Sequence, residues 1–302
     1  MMNPMTRRSF AALTGGLLAS AKVFAQAQTQ PQAPLITRAI PRGGERIPAV
    51  GLGTASIFSQ DSPATRDKAS AVVQALVKQG GRLIDTASSY GDAESVLGAV
   101  ISAAGLRGKL FIATKLESPD PQELKRSLAR LKTASVDLLQ LHNVSDKQQS
   151  LQPFRDWQQQ GLCRYVGITS TFRGDYPAIE AVLQREKPDF VQIDYSIDNR
   201  AAEKTILPLA ADVGAGVLTA LPYGRGRLFR AVQDKALPDW ARVFADSWGQ
   251  FFLKYLLGDP RVTAVIPGTG NPGHMADNAA AMRGPLPDAG QRQRMVDFIK
   301  VF

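Results

Sequence analysis

Cysteine and histidine are scarce in this sequence of 302 residues, which has one cysteine, Cys163, and two histidines, His142 and His274. A single thiol cannot form an internal disulfide, and so few thiol and imidazole groups exclude a metal cluster built from Cys and His. We therefore expect neither a disulfide scaffold nor a metal site. Cys163 stands at the start of a predicted strand and is expected to be a core residue rather than a nucleophile.

Long apolar runs are also missing, since no stretch reaches the length of about 20 residues that a membrane-spanning helix requires. Hydrophobic residues make up 44% of the chain and charged residues 21%, which excludes collagen and long disorder. Acidic residues are few, 27 against 36 Lys and Arg, so the net charge is +9. This excess predicts an anionic partner: nucleic acid, an acidic membrane surface or a phosphate-bearing ligand.

The N-terminal residues have the order of an export signal. Arg7 and Arg8 precede a weakly apolar stretch from Phe10 to Ala21, and Ala25-Gln26-Ala27 is a small-x-small cleavage site. The arginine pair resembles the twin-arginine consensus, although alanines stand where that consensus has Leu and Lys after its Phe. A disordered, mildly basic N-terminus is the alternative interpretation.

On the first interpretation, residues 1–27 are an export signal peptide and residues 28–35 a linker. We expect a periplasmic protein exported by the twin-arginine machinery, or a cytoplasmic one if the signal is not functional. Cleavage removes three cations and no acidic residue, which leaves a net charge of +6.

Short apolar runs recur along the rest of the chain, 25 to 45 residues apart, and segments with helical periodicity separate them. A strand, a helix and two loops need about this much chain. The eight runs begin near Ala49, Arg82, Leu110, Val136, Tyr165, Phe190, Val217 and Val262.

Eight strand–helix units predict a (β/α)₈ TIM barrel, with an open doubly wound sheet as the alternative. We expect one domain over residues 36–302, opened by a β-hairpin around Arg42-Gly43-Gly44. The long gap after the seventh strand predicts an extended loop, Pro222 to Pro238, over the barrel mouth.

Several helix limits are also predicted. Ser62-Pro63 begins the first helix, and the segment from Asp120 to Glu123 has the pattern of a capping box. Apolar residues from Trp240 to Tyr255 predict one long helix that ends at Gly258.

Four chemically distinct side chains stand near the ends of three successive strands, where a barrel places its active site. Asp85 ends the second strand and Tyr90 follows it, Lys115 ends the third strand, and His142 follows the fourth. A Tyr phenol has a pKa of about 10, and a nearby ammonium lowers it. Asp85 would keep Lys115 charged, and His142 would orient a carbonyl group or pass the proton on. Together the four groups are suited to protonating an oxygen while hydride reaches the adjoining carbon.

The stretch around these residues resembles the aldo-keto reductase family. The resemblance runs from about residue 36 to about residue 278. The segments that carry it are Asp85 to Gly91 with Glu94 and Gly98, Thr114-Lys115, Asp137 to His142, and Gly161 to Gly167.

This resemblance implies an oxidoreductase that transfers hydride between a nicotinamide cofactor and an aldehyde or ketone. Tyr90 would be the general acid/base, tuned by Lys115 and Asp85, and His142 would position the substrate carbonyl. The family's cofactor is bound extended without a Rossmann fold, with NADP(H) favoured and NAD(H) possible. Its phosphates would account for the basic charge without a nucleic acid.

The resemblance also implies a cofactor site. Thr169, Ser170 and Gln192 would hold the carboxamide. Ala220 stands where the family has an aromatic ring, so that either the stacking on nicotinamide is lost or Tyr223 folds back to replace the ring. His274, with charge added from Arg225, would bind the 2′-phosphate. The remaining residues assigned to cofactor binding are Gly53, Thr54, Pro222, Gly224, Gly268 and Thr269, with Asp277 and Asn278 near adenine.

Two other functions are compatible with the pattern. One is a barrel that binds a dinucleotide or a partner without turnover, and the other is a phosphate-handling isomerase or lyase. The Gly51-Leu52-Gly53-Thr54 segment lacks the third glycine of a dinucleotide fingerprint, so it is read as part of the barrel mouth. The complete set of four reactive groups favours the enzyme.

Overall fold

The computed structural model describes residues 33–302, so the predicted export signal and all but the end of the linker lie outside the described residues. The described chain opens with an antiparallel hairpin of β1 (Thr37–Ala39) and β2 (Arg46–Pro48). Gly43 and Gly44 adopt positive φ in the turn between these strands. The predicted hairpin is therefore confirmed, and its Gly-Gly turn has the backbone that glycine favours.

Eight further strands form one parallel sheet in which each strand pairs with its neighbours in chain order. Each begins within three residues of its predicted start. The strands are β3 (Leu52–Gly53), β4 (Leu83–Asp85), β5 (Phe111–Leu116), β6 (Val136–Leu141), β7 (Cys163–Ser170), β8 (Phe190–Asp194), β9 (Gly216–Ala220) and β10 (Ala264–Val265).

The segments of β3 and β10 also lie side by side, which closes the sheet into a barrel. The Gly51 amide donates to the Val265 carbonyl at 2.8 Å, and the Gly53 amide donates to the Pro267 carbonyl at 3.0 Å. A Cβ on Gly53 would lie 2.8 Å from the Ile266 carbonyl oxygen, so this close approach requires glycine. The (β/α)₈ barrel is confirmed, and the open doubly wound sheet is excluded.

Helices follow the strands and cover the outside of the barrel. They are α1 (Pro63–Lys78), α2 (Ala93–Ala103), α3 (Pro121–Arg130), α4 (Gln152–Gln159), α5 (Tyr176–Glu186), α6 (Ile206–Val213), α7 (Arg227–Ala231), α8 (Trp248–Leu257), α9 (Pro272–Ala280) and α10 (Ala289–Ile299). Within residues 33–302, no helix has the length and apolar character needed to cross a membrane.

One helix start is as predicted and a second differs in detail. The Ser62 hydroxyl accepts from the Thr65 amide at 3.1 Å, which caps α1. Asp120 caps α3 through the Gln122 amide at 2.9 Å, but the predicted capping box is wrong. The Glu123 carboxylate instead accepts from the Glu117 amide at 3.1 Å and from the Ser88 hydroxyl at 2.5 Å, so it does not reach back to the Asp120 amide.

The single long helix predicted from Trp240 to Tyr255 is also wrong. Ser247 has extended backbone, and its hydroxyl accepts from the Gln250 amide at 3.1 Å, so α8 begins only at Trp248. The apolar periodicity runs across this break because both segments pack on the same core. The predicted loop from Pro222 to Pro238, which lies between β9 and this segment, includes the short helix α7.

Apolar side chains fill the end of the barrel where the strands begin, which is called the lower end below. The upper end, where the strands terminate, is left polar. Phe111, Leu138 and Phe190 are fully buried in the interior, and they share a cluster with Ile40 and Ile47 from the hairpin region. The hairpin therefore plugs the N-terminal end of the barrel. A ligand reaches the interior from the opposite end, where the strands terminate.

The contact between α2 and α3 gives a test of the packing. A Cβ on Gly98 would lie 2.1 Å from the Arg130 carbonyl oxygen, whereas a Cβ on Gly108 would meet nothing within 4 Å. We expect Gly98→Ala to lower the free energy of unfolding by about 1–3 kcal/mol, because the helices must separate. Gly108→Ala should change it by less than about 0.5 kcal/mol. Urea unfolding measures both variants, and a Gly98→Ala protein as stable as wild type contradicts this packing.

Candidate active site

A buried ion pair lies at the upper ends of β4 and β5. The Lys115 ammonium Nζ lies 2.6 Å from Oδ2 of Asp85, and the two side chains are only 1% and 3% exposed. Lys115 also donates to the Thr86 carbonyl at 2.7 Å. Each charge is stable without water only because the other charge and these hydrogen bonds replace its hydration.

Two amides complete the surroundings of the carboxylate. Gln140 Nε2 donates to Oδ1 of Asp85 at 3.2 Å, and Gln192 Nε2 donates to Oδ2 at 3.3 Å. Gln140 was not singled out from the sequence. Its position near the end of β6, two residues before His142, is the signal that would have identified it.

Tyr90 completes the group of reacting side chains at this end of the barrel. Lys115 Nζ lies 4.9 Å from the centre of the Tyr90 ring, and the ring of His142 is 5.8 Å away at an angle of 74°. The four side chains predicted from the sequence therefore lie together around one space.

The predicted effect of Lys115 on Tyr90 is outweighed. Burial raises the pKa of Tyr90, and the lowering by the Lys115 charge does not cancel it, so the net shift is upward. Burial lowers the pKa of Lys115, but Asp85 and Tyr90 raise it more, and the pKa ends above its ordinary value. At neutral pH the site therefore holds a phenol beside an ammonium.

His142 has a carboxylate partner that was not singled out from the sequence. Its Nδ1 lies 2.5 Å from Oε1 of Glu117, just after β5. Burial and the Lys115 charge lower the pKa of His142, while Glu117 opposes them. Glu117 stands two residues after Lys115, and the two-residue repeat of a strand is the signal that would have placed both on one side.

A second buried carboxylate, Glu94 of α2, forms hydrogen bonds that hold β5 against the neighbouring helices. Its Oε1 accepts from the Thr114 hydroxyl at 2.6 Å and from the Ser127 hydroxyl at 2.5 Å, and its Oε2 accepts from Arg130 Nε at 2.8 Å. Glu94 thus joins α2, β5 and α3. Because Thr114 is the neighbour of Lys115, this network holds the strand that carries the ammonium.

A cavity of about 740 Å³ opens above the ion pair and is lined by Asp85, Tyr90, Lys115 and His142. This volume suits a small-molecule or cofactor site. Of the residues assigned to cofactor binding, those that line the cavity are Gly53, Thr54, Thr169, Gln192, Pro222, Tyr223, Arg225 and Gly268.

The other assigned residues lie outside the lining, and several are engaged within the protein. Ser170 donates to Asp175 at 2.6 Å, and Asp277 accepts from Ser247 at 2.6 Å. Asn278 accepts from the Tyr223 hydroxyl at 2.5 Å, so this phenol also has a partner within the protein. The assigned residues outside the lining are Ser170, Gly224, Thr269, His274, Asp277 and Asn278.

One buried polar atom in the cavity wall fits an amide ligand. Oε1 of Gln192 is buried and has no hydrogen-bond partner among residues 33–302, while its Nε2 is held by Asp85. An unpaired buried acceptor costs free energy, and a hydrogen-bond donor on a ligand would satisfy it.

Phe172, 57% exposed, also lines this cavity and adds an aromatic ring that the sequence had not indicated.

The start of α9 is exposed, and its first amides are already capped. Asn271 Oδ1 accepts from the amides of Gly273 and His274 at 2.8 and 3.2 Å. Lys68 of α1 reaches this loop, since a Cβ on Gly270 would lie 3.2 Å from its Cδ. Lys68 is therefore a cation near the loop before α9 that the sequence had not suggested.

Other reactive groups lie away from the cavity. Cys163 is buried, and burial raises its pKa to about 12, which makes its thiol inert as expected of a core residue. In the part of the chain that the structure describes, no three His, Cys, Asp or Glu side chains are grouped to hold a metal ion.

Comparison with known proteins agrees with this geometry. The model of the aldo/keto reductase family matches residues 49–293. L-galactose dehydrogenase of Arabidopsis thaliana is 25% identical over 285 residues, covering 81% of this chain and 87% of the relative.

Two solved structures have the same fold. An aldo/keto reductase from Klebsiella pneumoniae in complex with NADP and acetate has 24% identity and a TM-score of 0.72, covering 85% of this chain and 93% of that one. A Bombyx mori aldo-keto reductase in complex with NADP has 25% identity and a TM-score of 0.67, covering 90% and 93%. The family match spans most of the barrel, including all four strand-end groups, and the chain therefore belongs to the aldo/keto reductase family.

Proposed function

We propose that this protein is an NAD(P)H-dependent carbonyl reductase or alcohol dehydrogenase. It transfers hydride between a nicotinamide cofactor, NADPH in preference to NADH, and a small aldehyde or ketone, with Tyr90 as the general acid/base. The observation that carries the proposal is the buried Asp85–Lys115 pair beside Tyr90 in the wall of one cavity. The NADP complex of the Bombyx mori relative supports the choice of cofactor.

The residues present fit a nicotinamide. Gln192 offers an unpaired acceptor and Thr169 a hydroxyl in the cavity wall, which suit the carboxamide. When bound, the cofactor supplies or accepts the hydride. Arg225 lines the same cavity and, with the exposed Lys68, provides positive charge for the phosphates, and the exposed His274 would contact the 2′-phosphate.

Tyr90 and Lys115 together govern the proton. Because the pKa of Tyr90 is raised, the phenol keeps its hydrogen at neutral pH and donates it to the oxygen of a carbonyl. The adjacent ammonium stabilises the phenolate that results, and Asp85 keeps that ammonium charged. In the reverse direction the phenolate accepts the proton of an alcohol, which requires a higher pH.

Tyr90→Phe tests the proton donor. We expect kcat to fall at least about 100-fold, because the ring stays but the transferable proton is lost, while NADPH still binds. NADPH oxidation with 4-nitrobenzaldehyde and methylglyoxal measures kcat, and fluorescence titration measures binding. Tyr165→Phe is the matched control, since Tyr165 packs against Phe111 in the plugged end of the barrel. Unchanged turnover in Tyr90→Phe removes Tyr90 from this role, and NADPH binding by wild type without turnover favours the non-catalytic barrel.

His274→Ala tests the preference for NADPH. We expect the affinity for NADPH to fall more than that for NADH, because only NADPH carries the 2′-phosphate that the imidazole contacts in the proposal. Kd values for both cofactors measure the difference at one salt concentration. Lys109→Ala removes an exposed charge just before β5, at the other end of the barrel, and should leave the ratio unchanged. Equal losses for both cofactors show that His274 does not read the phosphate.

We also propose that residues 1–27 direct export to the periplasm. Replacing Arg7 and Arg8 by lysine together should leave the full-length precursor in the cytoplasm, because the export machinery recognises the arginine pair. Cell fractionation and intact mass measure the result, with Lys22→Arg as the matched control in the same segment. Normal export and cleavage of the double-lysine variant contradict the twin-arginine route.

A further inference from the structure

A second cavity lies at the lower end of the barrel, away from the candidate active site. Its volume is about 460 Å³. The hairpin contributes Arg38 and Arg46 to the lining, the last turn of α6 contributes Ala211, and the segment before β10 contributes Arg261 and Thr263. None of these residues takes part in the proposed hydride transfer, so this lower cavity is a separate feature of the molecule.

The lower cavity carries an excess of positive charge. Three of its lining residues are arginines, and no lining residue is acidic. Within residues 33–302, neither Arg38 nor Arg46 forms an ion pair with a carboxylate. Arg261 pairs with Asp259 at 2.7 Å, but Arg292 shares this carboxylate at 3.7 Å. One buried anion thus faces two cations, and the other two arginines of the cavity are left without a counterion in the described chain.

Contacts within the protein hold the two hairpin arginines in place. Nη2 of Arg38 donates at 3.0 Å to the carbonyl of Leu257, the last residue of α8, where a helix attracts a cation. Nε and Nη2 of Arg46 donate to Oγ1 and to the carbonyl of Thr37 at 2.9 and 2.7 Å. These bonds account for the orientation of the side chains, but they use only part of the donors that each guanidinium has.

The unused donors follow a common pattern. Arg261 donates to Asp259 through Nε and Nη2, so in the described part of the chain Nη1 of each cavity arginine is without a partner. Nε of Arg38 is buried and also has no partner there. Oγ1 of Thr263 accepts from the Val217 amide at 3.0 Å and still has its own hydrogen to donate. Several donors and a surplus of positive charge match an anion with many acceptor oxygens, and a phosphate group has three or more.

The rest of the lining is small and uncharged, and it consists of Ala39, Pro41, Ala211, Ala215, Pro260 and Val262. Asp212 follows Ala211 in the chain, but it is exposed and is not a lining residue. Small-molecule sites typically have volumes of about 300–1,000 Å³, and the lower cavity falls in this range. It therefore has room for a small phosphate compound.

We propose that the lower cavity binds the phosphate group of a small soluble compound, with Arg38 and Arg46 as the residues that recognise it. A planar guanidinium presents its donors as a fork that matches two phosphate oxygens. The bound anion joins the hairpin to the segment before β10. Because this site lies at the opposite end of the barrel from Tyr90, the inference does not depend on the proposed hydride transfer.

Arg46→Gln is the first test, because Arg46 is exposed and its hydrogen bonds go to Thr37 of the same hairpin. Calorimetric titration of the full chain with inorganic pyrophosphate measures Kd. We expect wild type to bind pyrophosphate and Arg46→Gln to bind it at least about tenfold more weakly, the scale of losing hydrogen bonds to a charged group. Arg46→Lys keeps the charge without the fork and should recover part of the loss. Arg38→Gln should also weaken binding.

Two controls separate the lower cavity from other positive charge. Lys78→Gln removes an exposed cation at the C-terminal end of α1, which also lies toward the lower end of the barrel, and should leave Kd unchanged. Arg225→Gln removes a cation from the cavity beside Tyr90. In the Arg225→Gln protein the lower cavity should still bind pyrophosphate, and adding Arg46→Gln should weaken that binding.

The outcomes decide the proposal whether or not the protein reduces a carbonyl. Weakening confined to the variants of Arg38 and Arg46 supports it. It is overturned if wild type does not bind pyrophosphate, if Arg46→Gln binds as tightly as wild type, or if Lys78→Gln weakens binding equally. Cosedimentation with phosphatidylglycerol vesicles tests a lipid headgroup as the source of the phosphate. Vesicle binding that Arg46→Gln abolishes and pyrophosphate does not displace overturns the assignment to a soluble compound.

Discussion

The ion pair between Asp85 and Lys115 is the interaction on which the site depends. Neither charge is stable alone in the barrel interior, and removing one partner of a buried pair typically costs about 3–5 kcal/mol. The two strands that carry the pair must therefore stay in register at their upper ends, where β4 and β5 are neighbours. Gln140 and Gln192 bring two more strands to the same carboxylate. One charge pair thus links four strands, and its ammonium lies beside the Tyr90 ring.

The rest of the barrel provides a rigid base below this pair. The hairpin fills one end with apolar side chains, and Gly53 allows the β3 segment to approach the Ile266 carbonyl, just after β10, closely enough to close the wall. Outside the barrel, Glu94 joins two helices to the strand of Lys115. The polar groups are left at the open end, because an apolar plug occupies the other. This arrangement keeps Lys115 charged and Tyr90 protonated at the same time.

Much of the fold and of the reacting group could be predicted, and the errors have a common cause. Strand positions and the four strand-end groups follow from apolar runs and their limits, which are local in the sequence. The predicted capping box at Asp120 and the predicted long helix through Ser247 were wrong, because the side chains of Glu123 and Ser247 form hydrogen bonds that the sequence pattern did not indicate. The direction of the Tyr90 pKa shift was wrong because the loss of water on burial exceeded the effect of Lys115. Glu117 and Gln140 were missed because their partners are distant in the chain.

The sequence by itself determined the eight-unit barrel, its hairpin, and the set of Asp85, Tyr90, Lys115 and His142, because periodicity and strand ends are properties of short segments. It also assigned residues to a cofactor site. In the structure some of these residues line the cavity, and others form hydrogen bonds within the protein. Only the tertiary structure decided which groups are charged, which hydrogen bonds hold them, and that Glu117 faces Nδ1 of His142. Burial and the distance between side chains from different strands control these properties, and both arise only when the barrel closes.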